Sequence, residues 1–126
     1  ICKMGYRILV VDDEEANLNL IRKQLETIGY SVETAEDGQI ASQKLEHISQ
    51  NETGLPSLVI SDVDMPHKSG IELVRECGKL YPRLPFLIIT GRLLDHQQEL
   101  EKLGVPYLGK PYSIAELESK VKDILN

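Results

Sequence analysis

The sequence predicts an α/β domain in which helices cover both faces of a parallel β-sheet. Extended and helical patterns alternate strictly along the 126 residues, as they do in chains built from βα units. Three of the five extended segments are almost entirely apolar, which is typical of strands buried on both faces. We expect strands at 7–11, 31–35, 58–61, 86–90 and 105–108, and helices at 15–28, 37–49, 69–80, 92–103 and from 114 onward.

The first half of the chain contains two predicted strands and two predicted helices. Segment 7–11 (RILVV) is a β-branched run typical of a buried strand. Segment 31–35 (SVETA) alternates polar and apolar residues, which indicates a half-exposed strand. Apolar residues at helical spacing predict the inward faces of the first two helices, which are Leu18, Ile21, Leu25 and Ile28, then Ala41, Leu45 and Ile48.

The second half repeats the alternation. Segments 58–61 (LVIS) and 86–90 (FLIIT) are apolar strands, and segment 105–108 is a short strand that contains Pro106. The helix at 92–103 has a thin apolar stripe, and Ser113 is suited to cap the last helix. Apolar residues at helical spacing predict the inward faces of the three helices in this half, in chain order: Ile71 and Val74, then Leu93, Leu100 and Leu103, then Ile114, Leu117, Val121 and Ile124.

The same patterns predict the strand order. The three apolar strands belong in the centre of the sheet, whereas the alternating strand 31–35 belongs at an edge. The strand with Pro106 also belongs at an edge, because proline cannot donate to a central ladder. The flavodoxin-like order 2-1-3-4-5 satisfies these conditions, with a site at the carboxyl ends of strands 1 and 3. We therefore expect a single doubly wound (βα)5 flavodoxin-like domain.

Composition excludes several functions. The net charge of −6 argues against nucleic-acid binding by this domain, which needs a basic face. No apolar run approaches the length of a membrane span, so we expect no membrane insertion. We expect residues 1–5 to be a leader or the remnant of a tag and residues 6–126 to form the domain.

Polar residues follow the predicted strands where a parallel sheet would gather them at one edge. Strand 1 is followed by Asp12 and Asp13, and strand 3 by Asp62. Strand 4 ends in Thr90, and strand 5 leads to Lys110. Each residue alone has a structural explanation, such as helix capping, a turn or β-propensity. The conjunction at successive strand ends instead predicts a shared crevice.

Clustered carboxylates repel one another unless a positive charge neutralises them. Oxygen ligands favour Mg²⁺ or Mn²⁺ over zinc or copper, and Mg²⁺ commonly combines carboxylates with phosphate oxygens. The ammonium group of Lys110 can balance the negative charge of Asp62 and hold one oxygen of a phosphoryl group. Thr90 can donate a hydrogen bond to another phosphoryl oxygen. The crevice therefore predicts phosphoryl-transfer chemistry with a divalent cation.

Four stretches at these positions resemble the response-regulator receiver domains of two-component signalling, of the chemotaxis-regulator type. The resemblance covers nearly the whole chain, and jointly its motifs are highly specific. The stretches are ILVVDDE at 8–14, LVISDVDMP at 58–66 with Gly70 after it, LIITG at 87–91 and YLGKP at 107–111.

The resemblance implies a role for each carboxylate. Asp62 would be the phosphoacceptor, a nucleophile that becomes an aspartyl phosphate. Asp12, Asp13 and Asp62 would hold Mg²⁺ or Mn²⁺, with the backbone carbonyl of Asp64 as a further ligand.

The resemblance also implies a switch. Thr90 and Lys110 would contact the phosphoryl group, and Tyr107 would change its rotamer when Thr90 moves. The peptide bond before Pro111 would be cis, which proline permits at low cost. The surface of helix 4, strand 5 and helix 5 would then change its affinity for a partner.

The implied role is phosphorelay signalling and not enzymatic turnover, although the domain would catalyse its own phosphorylation and dephosphorylation. The phosphodonor would be a histidine kinase or a histidine-phosphotransfer protein. An output domain or a second copy would use the helix 4–strand 5–helix 5 surface. The resemblance implies a cytoplasmic location, either free or attached to a membrane-bound hybrid kinase.

Three alternatives stay open at this point. Asp62-Val63-Asp64 also fits the DxD motif of haloacid-dehalogenase-like phosphatases, although those enzymes carry it on their first strand. A flavodoxin-like cofactor binder would need a phosphate loop where residues 12–15 (DDEE) would repel phosphate. A receiver used only for docking would not need the complete set of site residues.

Overall fold

Parallel strands in the order β2-β1-β3-β4-β5 form the sheet of this protein, in a computed structural model that describes residues 5–50 and 54–126. The order and the two edge strands are those that the sequence predicts. Within the described residues the elements are β1 (Arg7–Val11), α1 (Glu15–Ile28), β2 (Ser31–Ala35), α2 (Gly38–Ser49), β3 (Leu58–Asp62), α3 (Gly70–Leu80), β4 (Phe86–Thr90), α4 (Leu93–Leu103), β5 (Tyr107–Gly109) and α5 (Ile114–Leu125).

The two faces of the sheet carry separate cores, because successive side chains of a strand point to opposite faces. In β1, Ile8 and Val10 pack in the cluster that contains α1 and α5. Leu9 and Val11 pack with the buried side chains of α2 and α3. On that second face Leu100 of α4 packs in a smaller cluster beside β4. The apolar strands are central because both of their faces are covered.

Two local predictions were wrong. Pro106 lies before β5 and not within it, and its carbonyl accepts a hydrogen bond from the Ile88 amide at 3.0 Å. Ile114, expected in the core, is 49% exposed, because the buried face of α5 begins with Leu117. The leader or tag predicted at 1–5 stays a prediction, since residues 1–4 lie outside the described residues. Among the described residues, no helix is long and apolar enough to span a membrane.

The connection from β3 to α3 is fixed at the point where α3 begins. Ser69 and Glu72 form a reciprocal capping box at the start of the helix. Gly70 follows, and its amide donates to the Val63 carbonyl at 2.9 Å. A Cβ atom on Gly70 would lie 2.1 Å from the Asp62 carbonyl oxygen, so only glycine fits there. This close approach seats the helix directly behind the end of β3.

Candidate functional site

The ends of β1 and β3 lie side by side and bring three carboxylates together. Val11 pairs with Ser61 in the parallel register, so the next residues, Asp12 and Asp62, emerge at the same edge of the sheet. Carboxylate oxygens of Asp12, Asp13 and Asp62 all lie within 4.8 Å of one another. Side chains 50 residues apart in the chain therefore form one oxygen-lined cluster.

Backbone amides hold two of these carboxylates in place. Asp12 is buried, and its Oδ1 accepts a hydrogen bond from the Glu14 amide at 3.0 Å. The Oδ1 atom of Asp62 accepts from the Val63 amide at 2.9 Å. The buried Ser61 hydroxyl donates to the Asp62 carbonyl oxygen at 2.8 Å. The Asp62 side chain is consequently presented by a fixed backbone.

Lys110 brings a positive charge to the cluster from the end of β5. Its Nζ lies 3.6 Å from Asp12 Oδ2 and 4.0 Å from Asp62 Oδ2. The Lys110 amide donates to the Thr90 carbonyl at 2.8 Å, which extends the ladder between β4 and β5. The peptide bond between Lys110 and Pro111 is cis. The ammonium group therefore faces both carboxylates without direct contact at hydrogen-bond distance.

Burial and charge together disfavour the ionised form of Asp62. Burial is the main cause that raises the pKa of Asp62 to about 6, and the charge of Asp12 adds to the rise. Lys110 and the Val63 amide act in the opposite direction and lower the pKa. Three carboxyl groups face one ammonium group, so acidic groups outnumber basic groups by two in the cluster.

This donor set fits a divalent cation. The cluster supplies hard carboxylate oxygens, the ligands of Mg²⁺ and Mn²⁺. Two positive charges would match the local excess of negative charge. Asp12, Asp13 and Asp62 are the residues that could hold the ion.

Thr90 occupies the end of the neighbouring strand. Asp62 pairs with Ile89 in the register of β3 and β4, so Thr90 is the next residue at the carboxyl edge. Its side chain is fully buried, and its Oγ1 accepts a hydrogen bond from the Arg92 amide at 3.0 Å. A rotation about its χ1 angle would redirect this hydroxyl.

The Asp64 carboxylate is directed to α4 and is separate from the carboxylate cluster. Its Oδ1 lies 3.2 Å from His96 Nε2 and 3.5 Å from Arg92 Nη1. Arg92 is held in turn by Asp95 at 2.9 Å. Sequence reasoning missed these contacts, because no periodicity predicts which residue of α4 meets the loop after β3.

Tyr107 contacts the same helix from the first position of β5. Its hydroxyl donates to Glu101 Oε2 at 2.8 Å and accepts from Gln97 Nε2 at 3.2 Å. Both partners lie on α4, so the tyrosine joins β5 to that helix and its hydroxyl is held away from the carboxylate cluster.

Comparison with known proteins agrees with this geometry. Residues 8–122 match the family model of the response regulator receiver domain. The alkaline phosphatase synthesis transcriptional regulatory protein PhoP of Bacillus subtilis is 37% identical over 124 residues, which are 97% of this chain and 49% of that protein. The chain thus spans about half the length of the curated relatives it matches.

Solved structures resemble the fold over nearly its whole length. A response regulator receiver domain protein from Clostridium thermocellum has a TM-score of 0.86 and 31% identity, covering 96% of this chain and 94% of that one. The response regulator protein TrrA from Thermotoga maritima, in complex with Mg²⁺-BeF, has a TM-score of 0.84 and 33% identity, covering 95% and 99%.

Proposed function

The chain belongs to the response regulator receiver domains of two-component systems, and from this membership we propose that it accepts a phosphoryl group on Asp62. The observation that carries the proposal is the meeting of Asp12, Asp13, Asp62 and Lys110 at the ends of three strands. The haloacid-dehalogenase-like alternative loses its support, because residues 8–122 match the family model of the response regulator receiver domain.

The proposed reaction moves a phosphoryl group from nitrogen to oxygen. A carboxylate oxygen of Asp62 forms the new P–O bond. The P–N bond of a phosphohistidine breaks, and its electron pair remains on the imidazole nitrogen. Lys110 and Thr90 then hold oxygens of the phosphoryl group, where their positive charge and hydrogen bond favour the developing negative charge.

The ionisation of Asp62 prepares it for this attack. At neutral pH a carboxyl with a pKa of about 6 is mostly ionised, yet its burial leaves it poorly solvated. Bound Mg²⁺ or Mn²⁺ would supply positive charge to the oxygens of the transferred group. Asp12, Asp13 and the Asp64 carbonyl would hold that ion beside Asp62.

The response to phosphorylation would run through Thr90 and Tyr107. A phosphoryl group adds about −1.5 to −2 charge and strong acceptor oxygens, which favour a Thr90 hydroxyl turned toward them. The vacated space would admit Tyr107, whose bonds to Glu101 and Gln97 would break. The α4–β5–α5 surface would then differ between the two states.

The proposed phosphodonor is a histidine kinase or a histidine-phosphotransfer protein, in the cytoplasm. The proposed reader of the α4–β5–α5 surface is an output domain or a second copy of the chain. Curated relatives are about twice as long as this chain, which supports a role inside a larger regulator.

An intact-mass experiment tests phosphorylation directly. Wild type incubated with phosphoramidate and Mg²⁺ should gain one phosphoryl group that is stable in acid and labile in base. D62N should gain none, and chelation of the metal should abolish the gain in wild type. A base-stable adduct, or an adduct of equal yield on D62N, would rule out the aspartyl phosphate.

Amide NMR spectra test the switch. Phosphorylated wild type should show its largest shift changes outside the site in α4, β5 and α5. Y107A should keep the changes around Asp62 and lose most of those in α4. Unchanged α4 signals in phosphorylated wild type would contradict the proposed surface.

A further inference from the structure

The loop of residues 63–69 between β3 and α3 contains a strained residue. His67 has a φ angle of 68°, a left-handed backbone conformation that residues other than glycine rarely adopt. The next amide, that of Lys68, donates to the Pro66 carbonyl at 2.7 Å, so the chain reverses tightly there. Such a conformation persists only when surrounding contacts hold it in place.

Lys68, the next residue, is held by two helices through its side chain. Its Nζ donates to Glu76 Oε2 of α3 at 2.5 Å and to Ser42 Oγ of α2 at 3.0 Å. The Ser42 hydroxyl donates to Glu76 Oε1 at 3.2 Å, which closes a ring of three side chains. The Lys68 side chain is only 15% exposed. The hydrogen bond to Lys68 is the main cause that lowers the pKa of Glu76.

The backbone of Lys68 is equally confined. A Cβ atom on Gly38, the first residue of α2, would lie 2.3 Å from the Lys68 carbonyl oxygen. The loop is therefore in contact with the start of α2, and the hydrogen bond from the Gly70 amide to the Val63 carbonyl closes the loop at its base. Asp64, whose carbonyl is a proposed cation ligand, lies between Val63 and Lys68.

We propose that Lys68 is a positioning residue for the phosphoacceptor loop: by binding Glu76 and Ser42 it holds the strained backbone that presents the Asp64 carbonyl beside Asp62. The proposal rests on the proposed function for the role of that carbonyl. It goes further in naming α2 and α3 as the supports of the loop. Loss of the ring should let His67 relax and the loop move.

Loss of the Lys68 contacts should lower the affinity for the cation. Removal of residues that support metal ligands from outside the coordination sphere commonly weakens metal binding by about 10-fold to 100-fold. Lys68 acts on one carbonyl ligand through the backbone, so we expect the lower end of this range. Carboxylate ligands would be untouched, so some Mg²⁺ affinity should remain.

The experiment compares K68M with R75M. Methionine keeps the length of the Lys68 stem but removes its ammonium group. R75M also removes an ion pair from α3, the one between Arg75 and Glu99 of α4, but it does not touch the loop. In metal-free protein, hydrogen exchange at the Gly70 amide should be faster in K68M and unchanged in R75M.

Calorimetric titration with Mg²⁺ supplies the second readout. K68M should bind about 10-fold more weakly than wild type, while K68R and R75M should stay within about twofold of it. A purely structural role would lower the unfolding midpoint of K68M without altering its Mg²⁺ affinity or its Gly70 exchange, and that result would overturn the proposal.

The two proposals can fail separately. Failure of wild type to accept a phosphoryl group would refute the proposed function. Hydrogen exchange at the Gly70 amide, measured in metal-free protein, would still decide the role of Lys68. Wild-type binding of Mg²⁺ together with unchanged affinity and unchanged Gly70 exchange in K68M would refute the positioning role alone.

Discussion

Asp62 combines two properties that suit its proposed role as a nucleophile. It is fixed by the Val63 amide, and it is poorly solvated, which raises its pKa to about 6. Burial outweighs the opposing charge of Lys110, because the ammonium lies 4.0 Å away and also serves Asp12. In the absence of a cation, ionised Asp62 therefore destabilises the fold that presents it.

This pKa predicts a pH dependence of stability. Between about pH 4 and 6 the folded state binds more protons than the unfolded chain, so the free energy of unfolding falls as pH rises through this window. The D62N variant has no carboxyl group at this position, so its free energy of unfolding should not fall for this reason. In a chelating buffer the stability advantage of D62N should be near zero at pH 4 and reach on the order of 2 kcal/mol at pH 7.5.

Urea unfolding of both proteins at several pH values measures the advantage of D62N. S119A, an exposed change on α5, serves as a control whose difference from wild type should not vary with pH. An equal advantage of D62N at pH 4 and pH 7.5 would contradict the raised pKa.

At the scale of elements, the junction of β3 and α3 positions Asp62, the proposed nucleophile. Asp62 ends the strand, and Gly70 begins the helix against the Asp62 carbonyl. The loop between them is tied to α2 and α3 through Lys68 and to α4 through Asp64. Three helices therefore contact the loop that follows the proposed phosphoacceptor.

Two glycines of α3 should respond oppositely to alanine. In G70A the new Cβ would meet the Asp62 carbonyl oxygen at 2.1 Å, and only backbone movement can relieve this contact. We expect a loss of about 2 kcal/mol or more in urea unfolding, with slower phosphorylation. Gly78 is exposed, and a Cβ atom added to it would have no neighbour within 4 Å, so G78A should stabilise by about 0.5 to 1 kcal/mol. Similar effects of both changes would contradict the close packing at Gly70.

At the scale of the molecule, the carboxylate cluster joins two central strands. Asp12 and Asp13 follow β1, and Asp62 ends β3, so an ion bound among them would bridge neighbouring strands of the folded state alone. Ligands that bind only the folded state raise its stability according to their concentration relative to Kd.

Magnesium should therefore raise the unfolding midpoint. At about 100 times its Kd the gain should be about 2.7 kcal/mol, or roughly 10 °C for a domain of this size. D13N should show a much smaller shift, and EDTA should reverse the shift in wild type. Differential scanning calorimetry measures all three. A shift of equal size in D13N would place the ion elsewhere.

Several features could be predicted from the sequence because they depend on local periodicity. The apolar strands 58–61 and 86–90 could only be central, and the alternating strand 31–35 could only be an edge. The meeting of Asp12, Asp62 and Lys110 followed from one rule, that parallel strands end at a common edge. The predictions failed at the ends of elements, where Pro106 precedes β5 and Ile114, although it fits the helical period, is the exposed first residue of α5.

The sequence by itself therefore determined the order of the strands, the two buried faces and the edge at which the carboxylates gather, since hydrophobic burial is encoded residue by residue. Only the tertiary structure decided which side chains meet across elements. The bond of Lys68 to Glu76 and the pairing of Asp64 with His96 depend on loop path and helix rotation. Those quantities are set by packing of the whole domain, and no short stretch of sequence contains them.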